Sequence, residues 1–327
     1  DDAGNTAQEF YTNRTVVTLM AEILQPQPNE SIYDPTCGSG GMLVKCLDFI
    51  RNKGEEWQGV QVFGQELNGL TSSIARMNLY LNGVEDFSIA CANTLSAPAF
   101  LDGSHLRKFD VVLANPPYSI KTWNREAFAS DKWGRNFLGT PPQGYADYAF
   151  IQHILASMKE DTGRCAILLP HGILNRIVET GIREEWVKTD MLDAIISVGK
   201  NLFYNSPMEA CIIICRSIKP KERKGKVLFI NARDWVVREN TNSFLTEEHI
   251  KAIAKLYREY KNADGRSQIV SINDIPKSKD CSLSTSLYVK LLNSRGHESL
   301  EILVDSWKEK SRKLHSEFNN LVDLLWQ

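Results

Sequence analysis

Short apolar runs alternate with segments of helical periodicity as far as Arg233. The runs that read as strands are "SIYD" (31–34), "VQVFGQE" (60–66), "SIAC" (88–91), "FDVVLA" (109–114), "CAILLP" (165–170), "LDAIISV" (192–198), "ACIIICR" (210–216) and "KVLFINA" (226–232). Helical patterns fall between them at about 15–25, 40–52, 68–82, 145–160 and 174–188. Such alternation predicts an α/β fold: a mostly parallel sheet with helices on both faces. The last two strands are separated by "SIKPKERKG" instead of a helix, which predicts an antiparallel hairpin at one edge of the sheet.

Beyond Arg233 the strand signal fades. "LTEEHIKAIAKLYREY" reads as a helix with Thr246 as its N-cap and acids in the first turn. The stretch from Ser299 to Gln327 places Leu300, Val304, Trp307, Ser311, Leu314, Phe318, Leu321 and Leu325 at alternating four- and three-residue steps, a heptad seam. That seam suits either a helix packed on its own domain or one offered to a partner. The pattern predicts an α/β domain over 1–235 and a helical extension over 236–327 ending in a docking helix.

Composition narrows the class. With 43% apolar and 24% charged residues, the chain can build a sizeable core. No apolar run is long enough to span a membrane, and no signal-peptide pattern opens the chain. The missing initiator methionine and the polar opening "DDAGNTAQ" point to a fragment or a processed product. Seven scattered cysteines, none in C-x-x-C spacing, suit a reducing compartment, hence the cytoplasm. None of the six histidines stands at ligand spacing from a cysteine or carboxylate pair, so no metal site is expected.

The chemistry begins at "SIYDPTCGSGGML", where a strand ends on Asp34, a glycine loop follows (Gly38, Ser39, Gly40), and an apolar helix begins. Glycines admit a close ligand, and the helix amino end favours negative charge. The third glycine of a dinucleotide fingerprint is absent, and Asp34 would repel a pyrophosphate but attract an ammonium group. A zwitterion such as the methionine moiety of S-adenosylmethionine fits both. Glu66, closing the second strand in "GQEL", stands where a carboxylate can take two ribose hydroxyls, and Asn93 in "CANTL" where it can pair with an adenine edge.

"FDVVLANPPYS" runs a buried strand into Asn115, Pro116, Pro117 and Tyr118. Proline has no N–H to donate, so the sheet ladder ends there, at the edge where open α/β folds bind ligands. An exocyclic amine on an aromatic base is a poor nucleophile because its lone pair is delocalised. The side-chain carbonyl of Asn115 and the backbone carbonyl of Pro116 can each accept one of its hydrogens, localising the lone pair for attack on a sulfonium methyl. Tyr118 offers a stacking face. A base would have to leave its duplex to reach such a pocket, and Phe203 and Tyr204 in "NLFYNSPMEACIII" supply a second aromatic clamp or, alternatively, core packing.

"EFYTNR" (9–14), "DPTCGSGGM", "GQEL", "ANPPYS", "DYAFIQHIL" and "LFYNSP" resemble, in order, the motifs of γ-type N6-adenine methyltransferases. They look most like the modification (methyltransferase) subunit of type I restriction–modification systems. The resemblance implies a Rossmann-like S-adenosylmethionine-dependent methyltransferase fold. It implies that Glu9, Phe10, Tyr11, Thr12, Asn13 and Arg14 line the cofactor pocket with Gly38, Ser39, Gly40 and Glu66. It further implies that Asn115 to Tyr118 hold a target adenine in DNA, with Phe203 stacked on it. In three places the chain departs from the pattern. Asn13 replaces a usual proline, which would loosen the opening loop. Asn93 replaces an aspartate, and "SVGKNLF" a Leu-Pro lead-in to the aromatic. The family's amino-terminal helical region has no counterpart in this sequence.

Sequence recognition is expected from elsewhere. The net charge is −2, whereas a free-standing nucleic-acid binder is usually basic. Arg216, Lys219, Lys221, Arg223, Lys224 and Lys226 read as a solvated loop rather than a phosphate grip. A separate specificity subunit reading the DNA is therefore expected, with a restriction subunit able to join. A protein-glutamine methyltransferase is the alternative, since a planar amide fits the same Asn-Pro-Pro-Tyr pocket. A non-catalytic scaffold is the third reading.

Overall fold

The computed structural model describes residues 12–202, 208–239 and 242–290, together with Trp307, Lys308, Ser311 and Arg312. Nine strands form one sheet: β1 (Ser31–Asp34), β2 (Gln61–Glu66), β3 (Phe87–Cys91), β4 (Val111–Ala114), β5 (Arg164–Pro170), β6 (Leu192–Lys200), β7 (Glu209–Arg216), β8 (Lys226–Ala232) and β9 (Ser267–Ser271). Their order across the sheet is β9-β8-β6-β7-β5-β4-β1-β2-β3. Strands β3 to β5 pair parallel through β2, β1 and β4, and β6 pairs parallel with β8. The expected α/β fold with a mostly parallel sheet is the fold observed.

The expected hairpin of the last two apolar runs is not formed. β7 lies antiparallel between β5 and β6, and β8 reaches past it to pair with β6. Residues 210–215 of β7 are all buried, which suits a strand covered on both faces in the sheet interior. The edge is antiparallel all the same, because the half-buried β9 pairs with β8.

Helices α1 (Arg14–Leu24), α2 (Gly41–Asn52), α3 (Gly69–Leu81) and α6 (Glu247–Glu259) contribute to one core, while α4 (Asp147–Ala156) and α5 (Thr180–Lys188) contribute to the other. Strand alternation feeds both: Val111 and Leu113 enter the first core, Val112 and Ala114 the second. Among the described residues no helix is long and apolar enough to cross a membrane.

Residue 235 is not a boundary of this body. The compact unit runs from Asp1 to Lys290, because α6 packs on α1 and β9 extends the sheet. Leu291–Gln327 forms a second unit. Of the heptad seam, only Trp307 and Ser311 fall within the described residues, and both are exposed.

Half of the six basic residues from Arg216 to Lys226 are used up inside the fold. Lys219 is buried, with Nζ 2.6 Å from Asp190 and donating to the Lys226 carbonyl. Arg216 and Arg223 both pair with the fully buried Asp193. Lys221, Lys224 and Lys226 remain exposed, as the solvated-loop reading expects.

Candidate active site

The glycine loop is built by backbone donors meeting carboxylates. The Thr36 N–H donates to Asp34 Oδ1 at 2.9 Å, and the Gly38 N–H to Glu66 Oε2 at 3.0 Å. Gly38 (φ 52°) and Gly40 (φ 77°) occupy the left-handed region that side chains disfavour. A Cβ added at Gly38 would meet nothing within 4 Å, so the loop is open on that side. The Asn78 amide of α3 donates to the Ser39 carbonyl at 3.0 Å and fixes the loop from behind.

Asp34 is fully buried, and its Oδ2 has no hydrogen-bond partner among the described residues. Burial, reinforced by the Glu66 charge, pushes its pKa up to about 7, against the pull of the Thr36 N–H. An orphaned buried carboxylate oxygen suits a cationic donor such as an ammonium group. Glu66 Oε1 accepts from the Asn68 N–H at 2.8 Å, so each Glu66 oxygen holds one backbone N–H and keeps lone pairs for a further donor. These residues fit the cationic and hydroxylated parts of S-adenosylmethionine.

Asn93 is committed locally. Its Oδ1 accepts from the N–H groups of Leu95 (2.9 Å) and Ser96 (3.1 Å), which leaves only the amide NH2 to meet a base edge. The Thr94 hydroxyl donates to the Pro35 carbonyl and ties this loop to the one after β1.

Asn115 follows β4 at the sheet's carboxyl edge, half-buried, with Pro116 buried behind it. Its Nδ2 donates to Thr12 Oγ1 at 2.9 Å, and the Tyr118 hydroxyl donates to its Oδ1. The Thr12 hydroxyl also reaches Met42 Sδ at 4.0 Å on α2, so it bridges Asn115 to the glycine-loop helix. Asn13 does not loosen this region. It caps α1, accepting from the Thr15 N–H and hydroxyl, and donates to the Ser243 carbonyl at 2.6 Å. Arg14 is exposed at the start of α1. Glu9, Phe10, Tyr11, Phe203 and Tyr204 lie outside the described residues.

Several residues that local pattern did not single out brace the loop after Tyr118. The Ser119 N–H donates to Asp147 Oδ1 at 2.9 Å, and Asp147 Oδ2 pairs with Arg176 at 2.8 Å. Arg176 also meets Glu179 at 3.2 Å and lies over the Tyr145 ring. Glu179 is fully buried, and burial pushes its pKa up to about 7. Arg135, 1% exposed, pairs with Asp131 at 2.6 Å and donates to the carbonyls of Thr94 and Leu95. It thereby bolts the segment after Asn-Pro-Pro-Tyr to the Asn93 loop. The one sequence signal for this bracing is an acid, Asp147, at the head of the mainly apolar "DYAFIQHILA".

A mostly parallel sheet with a glycine loop after β1, a carboxylate closing β2 and Asn-Pro-Pro-Tyr after β4 defines a Rossmann-like methyltransferase. Comparison with known proteins makes the class specific. A sequence model of the family "N-6 DNA Methylase" matches residues 1–296, and the chain belongs to that family. The type I restriction enzyme MjaVIII methylase subunit of Methanocaldococcus jannaschii is 32% identical over 327 residues, covering 95% of this chain and 54% of that protein. The HindI methylase subunit of Haemophilus influenzae is 31% identical, covering 80% of this chain and 58% of its own length. The crystal structure of a type I restriction–modification methyltransferase subunit from Streptococcus thermophilus superposes with a TM-score of 0.79 at 32% identity, over 88% of this chain and 60% of that one. The chain thus spans little more than half the length of these relatives.

Proposed function

We propose that this chain is the catalytic part of an adenine-N6 DNA methyltransferase, acting as the modification subunit of a type I restriction–modification assembly. The observation that carries the reading is the placement of Asn115. It stands beside the glycine loop, and Thr12 links it to the helix that the loop begins.

In this reading Asp34 Oδ2 takes the ammonium group of S-adenosylmethionine, Glu66 its ribose hydroxyls, and the Gly38–Gly40 loop lies against it. The cofactor supplies an electrophilic methyl group on a sulfonium. Asn115 Oδ1 and the Pro116 carbonyl accept the two N6 hydrogens of a flipped adenine, and Tyr118 stacks on its ring. Held by those two oxygens, the N6 lone pair would be localised and aimed at the methyl group that the bound cofactor would supply. The proton that N6 sheds once methylated would pass to solvent water, because the nitrogen would then carry a positive charge. Catalysis is positioning plus hydrogen-bond preorganisation, with no ionised base required beforehand. The family favours a DNA base over a protein amide as substrate.

Base recognition falls to a separate specificity subunit, with a restriction subunit joining the assembly. This is supported by the net charge of −2 and by the inward commitment of Lys219, Arg216 and Arg223. The test is Asn115→Ala in the assembly co-purified with the products of neighbouring genes. Methyl transfer to DNA should be lost while calorimetry still shows cofactor binding. Normal turnover, or label passing to protein instead of DNA, would refute the assignment.

A further inference from the structure

Two consecutive large apolar side chains project from the fold beside the Asn115 loop: Ile177, 71% exposed, and Val178, 64% exposed. Their surroundings separate them from the apolar stripe of α3 (Leu70, Ile74, Met77, Leu81), for which nothing shows an occupant. The turn that carries them is flanked by charge on both sides, Arg176 before and Glu179 after, and closes with the Glu179 N–H donating to the Arg176 carbonyl at 3.2 Å. Arg183, fully buried, donates to that same carbonyl at 2.8 Å. Apolar tips thus stand on a base of buried ion pairs, which leaves the turn little freedom to fold them inward.

That base is shared with the catalytic loop. Arg176 and the Ser119 N–H take opposite oxygens of Asp147, so the turn and Ser119, the residue that follows Asn115–Tyr118, are held by one carboxylate. β5 runs parallel to β4 with Ile167 opposite Ala114, and it continues to Pro170, so the turn that follows lies at the same carboxyl edge as Asn115. Both tips are β-branched and stiff at χ1, which limits the entropy lost on insertion. A base turned out of a duplex leaves a gap between two apolar ring faces, and apolar side chains are the groups that enter such gaps.

We infer that Ile177 and Val178 form a wedge that enters the DNA base stack beside the target adenine and holds the duplex open while that base occupies the Asn115 pocket. The inference rests on the DNA-adenine reading above. Its ligand is duplex DNA, and its role is to offset the cost of unstacking.

The test uses the full-length native assembly, its target adenine first located by sequencing for N6-methyladenine. Two duplexes are compared, one with the target adenine paired and one with it opposite an abasic site, where unpairing is already done. In the I177S/V178S assembly the ratio of paired to abasic-opposed turnover should fall at least tenfold. The fluorescence rise of 2-aminopurine at the target position should shrink with it, and I177L/V178L should restore both. An unchanged ratio overturns the wedge, as does failure of I177S/V178S to assemble with its partners, which would make the pair a protein contact. If the unaltered assembly methylates neither duplex, the adenine reading itself fails and the wedge falls with it.

Discussion

Thr12 and Asn115, 103 positions apart in the chain, are joined by a 2.9 Å hydrogen bond in which the Asn115 amide donates to the threonine hydroxyl. The bond fixes which way the amide points, and so which atom is available to accept. Thr12→Val removes the acceptor at nearly constant shape. It should lower methyl transfer about tenfold, equivalent to about 1.4 kcal/mol. Cofactor affinity should stay within about threefold, and Thr12→Ser should retain activity. Steady-state kinetics beside cofactor titration checks this. A larger loss in cofactor affinity than in turnover would place Thr12 with the cofactor instead.

The Tyr118 hydroxyl donates to the very oxygen, Asn115 Oδ1, that an incoming amine needs. An adenine entering the pocket must either take the second lone pair of that oxygen beside it or displace it. Tyr118→Phe removes this competitor and keeps the ring, so its KM for DNA should equal or fall below that of the unaltered protein. Tyr118→Ala loses the stacking face as well and should raise KM by roughly 10- to 100-fold, since base–aromatic stacking is worth ~1–3 kcal/mol. Equal damage in the two variants would show that the hydroxyl itself is required.

What local pattern could carry, it carried. A strand ending on Asp34, a glycine loop and a strand ending on Glu66 are contiguous features, and each lies where its segment places it. Contacts between distant segments were not legible. Nothing near Arg135 announces that its guanidinium would reach the Thr94 carbonyl 41 positions back. Nor does "ACIIICR" say which strands flank it, because an apolar run reports burial on both faces but not the identity of its neighbours. β9 escaped because four of its five residues are only partly buried and it mixes polar with apolar types. The heptad seam was legible as a pattern, yet a seam does not name what it packs against.

Asp34 should make cofactor binding depend on pH. Its folded-state pKa, about 7, lies above its ordinary 3.8, raised first by burial and then by the Glu66 charge. Between those values the folded protein holds a proton that the unfolded chain has released. Stability without ligand therefore falls as pH rises through this window. A cationic ligand at Oδ2 favours the ionised carboxylate, so its affinity should rise about tenfold per pH unit below 7 and level off above it. Binding at pH 6 should release a proton, measurable by calorimetry in two buffers of different ionisation heat. Asp34→Asn should flatten the profile. A flat profile in the unaltered protein would remove the ammonium from this site.

The buried pair behind the catalytic loop invites a double-mutant test, because Asp147 does two separable things. Its Oδ1 accepts from the Ser119 N–H and its Oδ2 neutralises Arg176, in a residue with no solvent exposure. Asp147→Ala strands both partners. It should destabilise by about 2–3 kcal/mol, less than the ~3–5 expected for a wholly stranded buried charge, because Arg176 keeps Glu179. Arg176→Met alone leaves two buried carboxylates without their cation and should cost a similar amount. In the double variant Asp147 and Arg176 no longer strand each other and only Glu179 is left without its cation, so the summed loss should exceed the observed one by at least ~1 kcal/mol in denaturant titration. Asp147→Asn keeps an acceptor for Ser119 and should preserve more turnover than Asp147→Ala at matched stability. Equal turnover in those two variants would mean that the ion pair, and not the Ser119 hydrogen bond, sets the position of Asn115 to Tyr118.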